Sequence, residues 1–247
     1  QLRNLKWMNL NGSRYPIELP NLSTATNLEE LRLGNCSSLV ELPSSIEKLT
    51  SLEILDLHDC SSLVELPSFG NATKLVILDN CKSLERLDCC FNNPEIRLYF
   101  PNCFKLNQEA RDLIMHTTCK CATLPGTQVP ACFNHRATSG DSLKIKLKES
   151  PLPTTLRFKA CIMFVKVNEE LMSYGYTPIS MSVDIVIRDE HNDLKVHCTS
   201  SDHEIYPVLT EHIYTFELEV EEVTPRSLSL SSHHSTKDTH TTKAIGR

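Results

Sequence analysis

Cysteine and histidine are the residues that could carry chemistry in this 247-residue chain, which has eleven cysteines and ten histidines. The nearest approach to a metal or thiol site is Cys119-Lys-Cys121, with His116 close by and the Cys89-Cys90 pair further upstream. Structural zinc favours Cys-x-x-Cys pairs, so a Cys-x-Cys pair with a distant third ligand is a poor match. The spacing therefore predicts no metal site.

Enzyme signatures are missing from the sequence. It has no GxSxG, HExxH or DxDxDG motif, and its seven glycines include no GxG spacing and no Gly-Lys dipeptide. We therefore predict no catalytic residue, no cofactor and no enzyme activity for this chain.

Charge and hydropathy restrict the partners. The formal net charge is −6, whereas a nucleic-acid binder normally has a basic excess. The longest apolar run, residues 160–165, is far shorter than the roughly 20 residues needed to cross a bilayer.

An odd number of irregularly spaced cysteines and the lack of a leader indicate a reducing compartment, the cytoplasm or the nucleus. The chain starts with Gln in mid-pattern, which predicts a fragment with further modules upstream.

An internal repeat organises the first 90 residues. Residues 27–43 recur almost unchanged at 51–67, and the shared pattern LxxLxLxxC-xxLxxLP is that of a leucine-rich repeat. The first leucines of four copies are Leu5, Leu28, Leu52 and Leu75. We expect stacked copies to bury a leucine spine, with Cys36, Cys60 and Cys81 as inert structural thiols at the turns. The fourth copy reads as shortened by two residues, which predicts a shortened strand and the end of the array.

Strand residues between the leucines must point away from the core, because strand side chains alternate between faces. We call the surface they form the open face; it corresponds to the concave side of such solenoids. Arg32 beside Asp56 suggests a cross-strand ion pair, and Trp7 with Ile54 suggests a contact patch. The alternative for Trp7 is cover by a preceding repeat. The predicted partner-binding residues of this face are Trp7, Asn9, Glu30, Arg32, Ile54, Asp56 and His58.

The second half has a different period. Asn107 reads as the N-cap of one helix reaching about Thr117, and alternating apolar residues then predict strands near 143–147, 158–167, 181–187 and 214–220. This pattern favours an all-β sandwich over 91–224, with Tyr174 and Tyr176 in a loop that either binds a partner or is an ordinary hairpin tip. Lys144, Lys146 and Lys148 read as a solvated edge, with a polyanion site as the alternative. The polar residues 225–247 predict a disordered tail.

Residues 1–224 resemble the C-terminal part of plant immune receptors of the TIR nucleotide-binding leucine-rich-repeat class. The resemblance rests on the repeats and on three later segments, 100–111, 124–136 with 140–143, and 206–216. It implies a leucine-rich-repeat solenoid followed by a jelly-roll/Ig-like domain that together bind a pathogen effector or a guarded host protein.

The same resemblance implies intramolecular contacts to a nucleotide-binding module and NAD cleavage by a TIR module, neither of which lies in this chain. A truncated adaptor or decoy is the alternative function, and an NAD-cleaving receptor is a second one if a TIR module precedes this chain.

Overall fold

The computed structural model describes residues 2–13, 19–137, 142–146, 155–164, 179–188, 195–205, 212–221, 227–233 and 241–246. The chain divides into two compact units, residues 1–125 and 126–247.

The first unit is a stack of short parallel strands, one per repeat. The strands are β1 Trp7–Asn9, β2 Glu30–Arg32, β3 Ile54–Asp56, β4 Glu65–Pro67, β5 Leu75–Ile77, β6 Arg86–Asp88, β7 Arg97–Tyr99 and β8 Cys121–Pro125. The main sheet has the order β1-β2-β3-β5-β7-β8, and the second strands of two repeats pair separately as β4-β6. One 3-10 helix, Ser44–Lys48, and one α-helix, α1 Gln108–His116, complete the unit.

The helix begins where the sequence predicts. The Oδ1 atom of Asn107 accepts a hydrogen bond from the Ala110 backbone N–H at 2.8 Å, which satisfies a donor that the helix itself leaves unpaired. At the other end, the Thr117 hydroxyl donates to the Leu113 carbonyl at 2.8 Å.

The inward side chains of the parallel strands build the core. Leu31, Leu55, Val76 and Leu98 are directly paired in register along β2, β3, β5 and β7, and each is fully buried. Excluding this aliphatic column from water is the main stabilising term of the unit.

The fourth copy is complete, so the prediction of a shortened strand that ends the array is wrong. β5 has three residues like β2 and β3, and Val76 and Leu78 occupy the positions of Leu55 and Leu57. Thr73 takes the position of Leu52 in the preceding copy, for which the sequence analysis chose Leu75. Thr73 is buried, and its hydroxyl oxygen lies 2.9 and 3.0 Å from the Leu52 and Gly70 carbonyl oxygens, which share its single proton. Because those bonds satisfy the hydroxyl, a polar residue fits the spine.

The stack also continues beyond residue 90, where the sequence analysis places the end of the repeats. β7 and β8 extend the parallel sheet, and buried Leu98, Phe100 and Cys103 repeat the leucine, leucine and cysteine positions. The first compact unit ends at Pro125, so a boundary at residue 90 lies inside it.

Two antiparallel sheets form the second unit. Their strands are β9 His135–Ala137, β10 Ser142–Lys146, β11 Thr155–Phe164, β12 Ile179–Arg188, β13 Lys195–Ile205, β14 His212–Glu221, β15 Ser227–His233 and β16 Thr241–Gly246. One sheet has the order β14-β11-β16-β9 and the other has the order β10-β15-β12-β13. Strand β11 is therefore central in its sheet, and β10 is an edge strand.

Large side chains of β11 and β14 form the core of the second unit. Phe158 pairs with Leu218 and Ile162 with Tyr214, and all four are buried. The four apolar strand patterns of the sequence correspond to β10, β11, β12 and β14.

The end of the chain differs from the predicted disorder over 225–247. Ser227–His233 pairs with both β10 and β12, and Thr241–Gly246 pairs with β11. Alternation of Leu228 and Leu230 with serines gives the first of these segments the period of a strand, which its low complexity conceals.

Candidate interaction surface

The open face has the register that the sequence predicts for its first three strands. Trp7, Glu30 and Ile54 form one column, and Asn9, Arg32 and Asp56 form the next. Trp7 is the most prominent of them, with 64% of its surface exposed, while Asn9 and Arg32 are exposed and Glu30 and Ile54 are half-buried.

The predicted ion pair between Arg32 and Asp56 does not form. Arg32 Nε donates to Glu30 Oε1 on its own strand, where the two side chains share a face. Asp56 is only 5% exposed, and its Oδ1 lies 2.7 Å from His58 Nδ1. Arg32 and Asp56 therefore each bond to a residue two positions away along the chain, and not to each other.

His58 is held on both sides of its ring. Nδ1 faces the Asp56 carboxylate, and Nε2 lies 2.8 Å from Asn35 Nδ2, which is a donor. Each ring nitrogen therefore has a hydrogen-bonding partner. With both nitrogens occupied, His58 has no free nitrogen for acid–base work.

Gly34 leaves the space that the His58 ring occupies. A Cβ built at residue 34 would lie 2.0 Å from the Cε1 atom of His58, so the ring occupies the space that any larger residue would need. The Gly34 N–H also donates to Asn11 Oδ1 at 2.8 Å, which links the first repeat to the second.

Gly34→Ala should destabilise the chain by about 1–3 kcal/mol, because displacing His58 breaks two hydrogen bonds worth about 0.5–1.5 kcal/mol each. Urea unfolding of Gly34→Ala, His58→Ala and the double variant measures this as a double-mutant cycle. We expect the double variant to be as stable as His58→Ala alone. Additive losses would show that the His58 ring is not what opposes a side chain at residue 34.

A line of left-handed residues borders the open face. Asn35, Asp59, Asn80 and Asn102 have φ between 57° and 60°, and each directly precedes a buried cysteine. Asn and Asp adopt this conformation more readily than other non-glycine residues. Asn102 Nδ2 donates to Asn80 Oδ1 at 2.9 Å, so neighbouring repeats are bonded along this border.

Asp79 lies beside that border and is crowded. Burial, and to a lesser degree the nearby Asp59, raise the pKa of Asp79 to about 6. The hydrogen bond from Asn102 and the electrostatic effect of His58 lower this pKa, but by less. A carboxyl group with a raised pKa in the folded state opposes folding when it ionises.

Asp79→Asn should therefore raise the melting temperature at pH 7.5, with no difference from the parent chain near pH 3.5. The penalty of the charged carboxylate is absent below the ordinary pKa of 3.8, grows between pH 4 and 6, and is complete above about pH 6. Thermal unfolding across this range tests it, with Asp88→Asn, an exposed site, as the control. A stabilisation that is largest in acid would contradict the assignment.

The thiols of the repeats form a buried ladder. The Sγ atoms of Cys36, Cys60, Cys81 and Cys103 lie 3.3, 3.1, 3.2 and 2.9 Å from the carbonyl oxygens of Leu10, Leu33, Leu57 and Leu78 in the preceding repeat. Burial raises the pKa of Cys36, and it raises that of Cys60 to about 12. The pKa of Cys81 is also raised, first by its hydrogen bond with Cys103. The thiols of Cys36, Cys60 and Cys81 therefore stay protonated and are poor nucleophiles.

The cysteines that the sequence singles out as a possible thiol or metal site differ in exposure. Cys89, Cys119 and Cys121 are buried and Cys90 is exposed. Within the part of the chain that the structure describes, no three His, Cys, Asp or Glu side chains are grouped to hold a metal ion. Tyr174 and Tyr176, predicted as a contact loop, lie outside the described residues.

The open face also has an apolar centre that was not predicted from the sequence. Ile54, Leu75, Ile77 and Tyr99 are half-buried on three adjacent strands, with Ile54 opposite Leu75 and Ile77 opposite Tyr99. Reading Leu75 as a core leucine hid this patch. The correct signal was Asn80-Cys81, which fixes Val76 and Leu78 as the inward residues.

Comparison with known proteins identifies both parts of the chain. Residues 124–219 match the model of the C-JID domain. The chain is 62% identical over 217 residues, 85% of its length, to the probable disease resistance protein RPP1 of Arabidopsis thaliana. This is the leucine-rich-repeat and C-JID region of a plant TIR-NBS-LRR disease resistance protein. The resemblance seen in the sequence is thereby confirmed.

Two further Arabidopsis thaliana relatives agree with this assignment. The disease resistance protein TAO1 is 48% identical over 149 residues, which is 59% of this chain. The disease resistance-like protein DSC2 is 40% identical over 168 residues, which is 56% of this chain. The chain spans only 15%, 12% and 14% of the lengths of RPP1, TAO1 and DSC2.

The described residues include no helix with the length and apolar character that crossing a bilayer requires.

Proposed function

We propose that this region recognises a pathogen effector protein, or a host protein that the receptor guards, through the open face of its parallel sheet. The exposed Trp7, at the end of a face whose polar groups are already oriented, is the observation that carries the proposal. Large aromatic side chains and arginine are the residues that most often dominate binding energy at protein interfaces.

Preorganisation supports a binding role. Arg32 is held by Glu30, and His58 by Asp56 and Asn35, so these side chains lose little conformational freedom when a partner docks. The leucine core lies on the other side of the strands, so open-face residues can vary without disturbing it.

The same geometry favours binding over catalysis in this region. The thiols of Cys36, Cys60 and Cys81 are protonated, and both ring nitrogens of His58 are hydrogen-bonded. We infer that the two sheets of residues 126–247 stack as a jelly-roll/Ig-like sandwich, that the region works in the cytoplasm or the nucleus, and that it also contacts the receptor's nucleotide-binding module.

Trp7→Ala combined with Arg32→Glu should abolish partner binding and leave the melting temperature nearly unchanged, because both side chains are exposed. The measurement is biolayer interferometry of the immobilised chain against a panel of purified effectors and candidate host proteins. The matched control is Val40→Ala with Lys48→Glu, an equivalent pair of changes at exposed positions outside the open face. Unaltered binding by the first double variant would exclude the open face as the recognition surface.

A further inference from the structure

The apolar centre of the open face is surrounded by charge of two signs. Asp79 follows Ile77 by two residues, and Asp59 precedes Cys60 at the neighbouring left-handed position, so both acids lie toward the carboxyl ends of the strands. Arg97 lies opposite Leu75 in register, at the amino-terminal end. Among the described residues, no salt bridge involves Asp59, Asp79 or Arg97.

This arrangement contrasts with the rest of the open face. The charged side chains on β2 and β3 already have partners, since Arg32 is paired with Glu30 and the Asp56 carboxylate is hydrogen-bonded to His58. Around the apolar centre, the acidic side is crowded enough that Asp59 contributes to the raised pKa of Asp79. A cation placed there would relieve that repulsion, whereas an anion would increase it.

Resting on the proposed function, we propose that the apolar centre binds a partner-protein segment that presents apolar side chains to Ile54, Leu75 and Ile77 and a Lys or Arg side chain to Asp59 and Asp79. Burial of the half-exposed aliphatic groups supplies affinity, in the way that a desolvated centre dominates an interface. The acidic side sets the orientation and speeds association, so binding weakens as salt rises.

Tyr99 and Arg97 complete the recognition. The Tyr99 ring extends the apolar centre onto β7, with its hydroxyl 3.9 Å from Cys121 Sγ. Arg97, at the amino-terminal end of its strand, favours an acidic residue in the partner segment. The preferred partner segment therefore has an acidic residue near Arg97, apolar residues in the middle and a basic residue near Asp59 and Asp79.

The test uses a display library of randomised 16-residue peptides selected on the immobilised 247-residue chain. We expect enriched peptides to combine apolar residues with a basic residue on one side. Their affinity should fall at least tenfold on Ile77→Glu and should also fall on Asp59→Asn with Asp79→Asn, whereas Val40→Glu should bind them normally. Circular dichroism and melting temperature establish that each variant is folded, and Leu75→Ser is a milder substitute if Ile77→Glu is not.

The outcomes separate this proposal from the broader one. Peptides that lose binding on Trp7→Ala and Arg32→Glu but not on Ile77→Glu would overturn the apolar centre and leave recognition by the open face standing. Peptides indifferent to all these variants would overturn both. Enrichment of acidic instead of basic peptides would reject the charge assignment. Concentration-dependent self-association, abolished by Ile77→Glu in sedimentation, would identify a second copy of the chain as the occupant and overturn the proposal.

Discussion

Leu55→Ala should lower the free energy of unfolding by about 2–5 kcal/mol, the usual cost of truncating a buried leucine. Leu55 is fully buried, and its strand neighbours Leu31 and Val76 are also fully buried. These neighbours belong to an ordered stack and cannot collapse freely into the space left by the isobutyl group. The cavity therefore adds to the lost transfer energy.

Urea unfolding followed by circular dichroism measures this loss. Because repeats are stabilised by their neighbours, a cavity in the middle strand should weaken the repeats on both sides. Val40→Ala is the control, since Val40 is 55% exposed and its truncation should change stability by no more than about 0.5 kcal/mol. A loss below about 1 kcal/mol for Leu55→Ala would contradict a tightly packed leucine spine.

Gly70→Ala should be the most damaging of the glycine substitutions. A Cβ at residue 70 would lie 2.2 Å from the carbonyl oxygen of Leu49, and a backbone atom cannot rotate away as the His58 ring beside Gly34 can. Overpacking of this kind costs about 1–3 kcal/mol and sometimes more. The melting temperature of Gly70→Ala should therefore fall below that of Gly34→Ala.

Hydrogen exchange locates the strain that Gly70→Ala introduces. The Leu52 N–H donates to the Leu49 carbonyl at 3.2 Å, so displacing that carbonyl should accelerate exchange at Leu52. The amide of Ala110, bonded to the Asn107 cap, is distant in sequence and serves as the internal reference. Unchanged exchange at Leu52 together with an unchanged melting temperature would show that the backbone accommodates the methyl group.

The repeat pattern was sufficient to predict stacked parallel strands with inward leucines over the first three copies, because a period of 23–24 residues and this leucine spacing admit few alternatives. The pattern failed at positions where a residue other than leucine fills the consensus leucine site. Thr73 replaces a spine leucine because its hydroxyl finds two carbonyl acceptors, and Val76 replaces a strand leucine because a β-branched residue fits the same space. A pattern that requires leucine at each position cannot register either replacement.

The side-chain arrangement of the open face was less predictable for a physical reason. The register of Trp7, Glu30 and Ile54 follows from strand alternation alone, and the structure has it. Side-chain conformation decides which charges pair. Spacing alone therefore could not show that Arg32 pairs with Glu30 and not with Asp56. The apolar centre depends on the fourth and fifth repeats, and the error in their alignment concealed it.

The border of left-handed Asn and Asp residues has a consequence for how such a receptor can change over generations. Asn35, Asp59, Asn80 and Asn102 end equivalent cassettes of 24, 21 and 22 residues with the same backbone geometry. Unequal recombination that duplicates or deletes one whole cassette would join two ends that are already compatible. Such an event would lengthen or shorten the open face in a single step and leave every junction between repeats compatible with the fold.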